Sequence, residues 1–466
     1  MRLRRLRFLT LLVVAAVWPL AIGNSQSSGT AVPSAWLNPY RETASRLIKA
    51  ALSDDFAWRR LAELTDTFGH RFSGSDSYQR AAEWAMATMR ADGFDSVRSE
   101  PVMVPRWIRG QESADITHPG QHPLVMIGLG GTVATPPSGT EADVLVVASF
   151  DDLRARADAA RGKIVLFNVP YSSYAETVTY RTNGARIAAQ YGAVAALVRS
   201  VGPVGLRTPH TGSVNYVAGT PAIPAASLAA EDANRIARLA ARGERVTVRL
   251  LTSGRLEGDE LSANVVGELR GRERPDEIVL VGAHFDSWDV GTGASDDGVG
   301  CIITWEAVRL LKQLGVRPRR TIRVVLFANE ENGLRGANAY AERYASTAGD
   351  HVFAMESDSG VFWPATLGFS GSAAARSQML QIASLLTPLG LQEVAAGGGG
   401  ADIGPIAQAG NVPTVAYLGD ASKYFVIHHT AADTVERITP DEVAKAAAAI
   451  AVVSYVVAEM PERLPK

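Results

Sequence analysis

The chain has 466 residues, 47% hydrophobic and 20% charged, with a formal net charge of −2. That length supports a large core and more than one domain. The near-neutral balance offers no basic field to hold nucleic acid, and no long single-sign run points to a polyionic partner.

At the N-terminus, Arg2, Arg4, Arg5 and Arg7 precede the apolar run Phe8 to Ile22, and residues 23–31 then turn small and polar. This is the build of a signal peptide over residues 1–24, cleaved between 23 and 31, and it predicts an exported chain, periplasmic or secreted. The run is shorter than the roughly 20 residues that cross a bilayer as a helix. No later segment reads as a membrane span, so none is expected after cleavage. Cys301 is the only cysteine, which excludes an intramolecular disulfide and a Cys-ligated zinc finger; it reads as a buried thiol in an apolar helix.

Residues 32–119 open with two expected helices between 41 and 94, joined by the Gly-containing stretch Phe68 to Ser75, and with alternation at Val97 to Val104. Over residues 120–257 Pro and Gly thicken and short β runs appear at Val144 to Ala148, Lys163 to Phe167 and Ala193 to Val198, closing with Arg245 to Leu250. A β-rich insertion is the economical reading. Residues 258–466 then repeat strand and helix: Ile278 to Ala283, Val299 to Leu314, Thr321 to Ala328, Gly336 to Tyr344, Val352 to Ser357, Pro413 to Leu418, and a final helix Pro440 to Ala458. Runs of Val, Ile and Leu without alternation predict a mainly parallel, helix-covered mixed sheet of an α/β fold.

Open α/β sheets bind ligands beyond the carboxyl ends of their strands, and the chemistry-bearing residues fall there. His284 and Asp286 follow one strand, Glu330-Glu331 a second, Asp358 a third, and His428-His429 lie beyond a fourth. A lone His or Asp after a strand is ordinarily a cap or a solvated loop residue; several converging on one rim are not. Two adjacent carboxylates after a buried strand repel each other unless a cation offsets them. In Gly293 to Gly300, Ser295 or Asp297 can also cap the next helix.

His284-Phe285-Asp286-Ser287, Ala294-Ser295-Asp296-Asp297-Gly298, Asn329-Glu330-Glu331-Asn332-Gly333, Glu356-Ser357-Asp358 and His428-His429-Thr430-Ala431-Ala432-Asp433-Thr434 together resemble the co-catalytic zinc aminopeptidases and carboxypeptidases. The likeness is to the carboxypeptidase Q-like branch, from about residue 40 to the C-terminus. The resemblance implies an α/β/α zinc-peptidase sandwich and two zinc ions per chain. Asp296 would bridge them, His284 and Asp358 complete one set, Glu331 and His429 the other, and Glu330 serve as general base towards a shared water. It implies cleavage of dipeptides or short peptides with both termini free, and a homodimer. Residues 120–257 resemble a protease-associated domain.

Around that set, Asp286 and Asp433 are candidate carboxylate partners for the ligating imidazoles, or solvated side chains. His428 is either a donor to an oxyanion or substrate carboxylate, or a packed ring. Asp402 follows the run Gly397 to Gly400, which reads as a pocket loop or a flexible linker. Arg207 and His210 face a partner subunit, the substrate or solvent. Two rival functions use the same fold: a glutaminyl cyclase-like acyltransferase with one zinc, and a non-catalytic binding protein that should have lost donors.

Overall fold

The computed structural model describes residues 35–466. The leader expected over residues 1–24 lies outside the described residues. Three helices open the fold, Asn38–Ala51, Phe56–Phe68 and Asp76–Ala91, where the sequence predicts two between 41 and 94. The polar Leu52-Ser53-Asp54-Asp55 break separates the first pair, and Ser75 caps the third by accepting the Tyr78 N–H at 3.1 Å.

Eight strands form the first sheet. Its centre is four parallel strands, in the spatial order Arg320–Phe327, Arg274–His284, His351–Ser357 and Thr414–Leu418. Every residue of Arg320–Phe327 is buried, and each of its Val, Leu, Ile or Phe side chains contributes roughly 1.5–3 kcal/mol by leaving water. The two arginines inside that strand are paired: Arg320 with Glu277, and Arg323 with Glu268 at 2.7 Å. The chain leaves Arg274–His284 through the helix Val299–Gln313 to the strand on one side, and later returns to the strand on its other side. His284 therefore ends the strand at the sheet's topological switch point, where a crevice opens.

The helix Val299–Gln313 is buried over most of its length and packs against Pro440–Glu459, so both cover one face of the sheet. Thr439 and Glu442 form a reciprocal capping box at the start of the latter, with Pro440 at its first position. Antiparallel strands Ser96–Ile108 and Arg255–Leu269 extend one edge; Thr366–Ser370 and Val394–Ala396 extend the other.

A second eight-stranded sheet lies in the inserted unit. It takes in Glu112–His118, upstream of the expected start at residue 120, and ends with Thr247–Thr252. Four of its strands run parallel, and Tyr174–Gln190 and Ala230–Ala241 are helices of 17 and 12 residues. No described helix is long and apolar enough to cross a membrane.

Candidate metal centre

Four strand ends and one loop deliver the donor groups. His284 closes its strand; Glu330-Glu331 follow Arg320–Phe327 through Asn329, whose φ is 67°. Asp358 follows His351–Ser357. His429, at φ 59°, follows the short helix Ala421–Ile427 beyond Thr414–Leu418. A left-handed conformation at a non-glycine residue costs on the order of 1 kcal/mol or more and persists where the surroundings dictate it. Here it turns the chain at Asn329 just before Glu330-Glu331 and at His429 itself, whose ring lines the cavity.

Asp296 lies between the two histidines. Its Oδ1 is 3.1 Å from His284 Nε2 and its Oδ2 is 3.2 Å from His429 Nε2. Asp358 Oδ1 stands 3.4 Å from His284 Nε2, and Glu331 Oε2 stands 3.0 Å from His429 Nε2. The result is two three-residue groups sharing one carboxylate. His428 also lies near Asp296 and His429 in a spacing that could hold an ion. Its Nε2 is 3.7 Å from Asp296 Oδ2, and its ring stacks on His429 at 3.6 Å between centroids, so Glu331 is the better third donor to that group.

The electrostatics are those of a crowded, buried cluster of imidazoles and carboxylates. Burial would lower the His284 and His429 imidazoles, but Asp296, Asp358 and Glu331 hold both well above the usual histidine range. Burial, then Asp296, push Glu331 up to about 7, although His429 pulls it down. Glu330 is raised well above the usual carboxylate range by burial and by Asp358 and Glu331, against the opposing pull of His284. Buried Asp296 Oδ2 and Glu331 Oε1 have no hydrogen-bond partner. Such carboxylates can stay ionised together only beside added positive charge.

Surrounding residues take different jobs from those expected. His284 Nδ1 meets the backbone oxygen of Asp286 at 2.9 Å, not its carboxylate, which is 3.9 Å away. The Asp286 carboxylate instead accepts the Glu330 N–H at 3.0 Å, the Glu331 N–H at 3.3 Å and the Ser73 hydroxyl at 2.9 Å, fixing the Glu330-Glu331 turn. Asp433 does not bond His429. Its carboxylate accepts the Ser295 N–H and hydroxyl, both at 2.7 Å, and the Asp296 N–H at 3.1 Å, so it holds the loop that carries Asp296. Asp402 is fully buried with both carboxylate oxygens unpartnered; burial and then Glu356 push it well above the usual range. It does not line the cavity into which the donors open. Asp297 accepts the Gly300 N–H at 3.1 Å, the capping role open to it. Arg207 pairs with Asp232, and His210 is buried with its ring 6.5 Å from His428.

The donors open into a cavity of about 340 Å³ lined by Glu330, Glu331, Asp358, Tyr424, His428 and His429 together with Tyr174 and Arg181 of the inserted unit. A larger cleft of about 520 Å³, around Asp276, Glu268, Arg323 and His351, has no such donor cluster among the described residues.

Residues 264–454 match the family model described as Peptidase family M28. Carboxypeptidase Q of Homo sapiens is 45% identical over 410 residues, covering 88% of this chain and 87% of that protein. The chain belongs to peptidase family M28. This metallopeptidase is also similar to the crystal structure of a peptidase M28 precursor from Shewanella amazonensis, 35% identical with a TM-score of 0.88 over 92% of this chain and 98% of that one. A zinc aminopeptidase from Bacillus subtilis shares the fold at a TM-score of 0.64 and 20% identity, covering 88% of the peptidase and 98% of that chain.

The peptidase's inserted unit contributes contacts that sequence reading did not find. Thr211 N–H donates to the His429 carbonyl at 2.9 Å, and His429 Nδ1 lies 3.3 Å from the Thr211 carbonyl. Ser213 donates its hydroxyl to the Glu331 carbonyl at 2.9 Å. Trp288 sets its ring edge-on to His429 at 5.7 Å, with Gly130 so close that a Cβ there would meet the indole at 2.1 Å. Arg109, in the link between Ser96–Ile108 and Glu112–His118, grips Asp289 through two hydrogen bonds, 2.9 and 2.6 Å, and also bonds Glu112 and Gly128, tethering the unit to the loop between His284 and Asp296.

Proposed function

We propose that this peptidase is an exported exopeptidase that takes two zinc ions and hydrolyses dipeptides or short peptides, with Glu330 as general base. The observation that carries the reading is the pair of three-residue donor groups sharing Asp296, with a fourth carboxylate, Glu330, facing the same cavity without a cationic partner within 4.0 Å among the described residues.

The donor set fits two ions. Asp296 offers one oxygen to each histidine's group, and mixed imidazole and carboxylate ligation with three protein donors per ion suits catalytic zinc. Asp296, Asp358 and Glu331 favour protons on the imidazoles, and metal binding would release such protons. When bound, zinc would polarise the scissile carbonyl and ease deprotonation of water.

The chain's own residues divide the remaining work. Glu330 takes a proton from the attacking water and returns it to the leaving amine, a role that burial favours by raising its proton affinity. Asp286 holds Glu330 and Glu331 through their N–H groups, so base and donor keep a fixed spacing. His428, which burial and then His429 keep neutral, lines the cavity as a donor for the developing oxyanion. The small cavity, partly walled by the inserted unit, favours short substrates, and residues 120–257 are the stretch assigned to a protease-associated domain. Export follows from the N-terminal sequence.

The test is metal content by mass spectrometry with hydrolysis of a dipeptide panel, before and after chelation and for Glu330→Gln. Two zinc ions per chain are expected, with activity lost on chelation and reduced roughly 10²–10⁴-fold in a Glu330→Gln variant that retains metal. One zinc ion or none after full reconstitution refutes the two-metal reading and favours the cyclase or binding protein.

A further inference from the structure

We infer that Arg181, supplied by the inserted unit, anchors the α-carboxylate of the residue following the scissile bond. The inference rests on the peptidase reading above and names the group that selects the substrate.

Arg181 lies in the helix Tyr174–Gln190 and is the only Lys or Arg among the residues lining the cavity. It is 5% exposed, and no carboxylate among the described residues comes within 4.0 Å of it. Nη1 donates to the Thr211 carbonyl at 3.1 Å and Nη2 to the Tyr174 hydroxyl at 2.7 Å. Nε is buried and makes no hydrogen bond. Nη1 also lies 3.3 Å from His429 Nδ1, so up to three of the guanidinium's five N–H donors are engaged, and the Nε proton is among those left over.

Its placement is rigid. A Cβ at Gly212 would meet the guanidinium carbon at 2.2 Å, so the planar group lies against bare backbone, and the Tyr174 ring centre is 5.4 Å away. Burying a cation without an anion is costly, and a fixed, partly unsatisfied guanidinium fits a planar carboxylate. Nη1 is 3.3 Å from His429 Nδ1, which puts the cation one imidazole width behind the donor atom Nε2. An extended chain advances about 3.5 Å per residue, so a carboxylate held there belongs to the residue next to the reacting carbonyl. The crowding of Asp296, Glu330, Glu331 and Asp358 in the same cavity disfavours a more highly charged anion.

Arg181 also touches the Thr211 carbonyl that faces His429 Nδ1, so a purely positioning role must be separated from anchoring. Metal-loaded full chain and its Arg181→Met and Arg181→Lys variants would be assayed on a dipeptide and on the same dipeptide as its C-terminal amide. Zinc content would be measured alongside, with calorimetric binding of the free dipeptide in the Glu330→Gln background. For Arg181→Met, KM for the free acid should rise roughly 30-fold or more and binding weaken to match, while kcat, zinc content and hydrolysis of the amide stay near wild type. Arg181→Lys should recover part of the loss. Equal losses on acid and amide, or lost zinc, overturn the anchor and leave a positioning residue. A wild type that cleaves and binds neither substrate overturns the peptidase reading itself, an outcome distinct from a wild type that cleaves both without regard to Arg181.

Discussion

His351 should make a measurable part of the peptidase's acid sensitivity, far from the donor cluster. It begins the strand His351–Ser357 and is 1% exposed. Its Nε2 is 2.9 Å from the Tyr340 hydroxyl, which also accepts from Arg323 Nη1 at 2.9 Å. The hydroxyl's proton therefore points to a neutral imidazole. Burial, and then the Arg323 charge, lower the folded pKa to about 4, against the opposing pull of the Thr347 and Ala348 carbonyls. The unfolded imidazole titrates near 6.5. Between those values the unfolded chain binds more protons, so this group's contribution falls as pH drops from about 6.5 towards 4. At 1.36 kcal/mol per pKa unit, the full window amounts to about 3 kcal/mol. His351→Gln keeps an oxygen to accept from Tyr340 and cannot titrate. Urea unfolding of metal-free wild type and variant at several pH values from 7 to 4 should show the variant losing less stability, by about 2 kcal/mol at pH 5. Parallel stability curves for the two proteins would refute the reasoning.

Two further outcomes concern the support of the donor groups. Asp433→Asn removes a carboxylate that accepts three hydrogen bonds from Ser295 and Asp296; zinc affinity should fall roughly 10–100-fold in a competition titration, and unchanged affinity would deny it the positioning role. Gly130→Ala drives a methyl into the Trp288 indole; thermal unfolding should show a loss of about 1–3 kcal/mol, with weaker zinc binding because Trp288 edges His429, and unaltered zinc binding would uncouple the two rings.

The parallel centre of the first sheet was legible because strands buried on both faces read as runs such as Ile278-Val279-Leu280-Val281. Once those strands are placed, their carboxyl ends bring His284, Glu330, Glu331, Asp358 and His429 to one rim, and the loop carrying Asp296 falls between them. The roles of Asp286 and Asp433 were not legible: whether a carboxylate beside a histidine meets its ring or a neighbouring N–H depends on how two loops meet in space. Backbone partners such as the Thr211 carbonyl leave no mark in the sequence. Glu112–His118 escaped notice because its alternation is short and mostly polar, and Arg181 because one arginine on a helix reads as a solvated charge until the opposing wall is known.

The contact between Thr211 and His429 joins points 218 positions apart. A chain emerging from the ribosome can fold much of the inserted unit before the C-terminal segment has been made, but it cannot close the cavity until residue 429 arrives. Hydrolytic capacity would thus appear only at the end of synthesis.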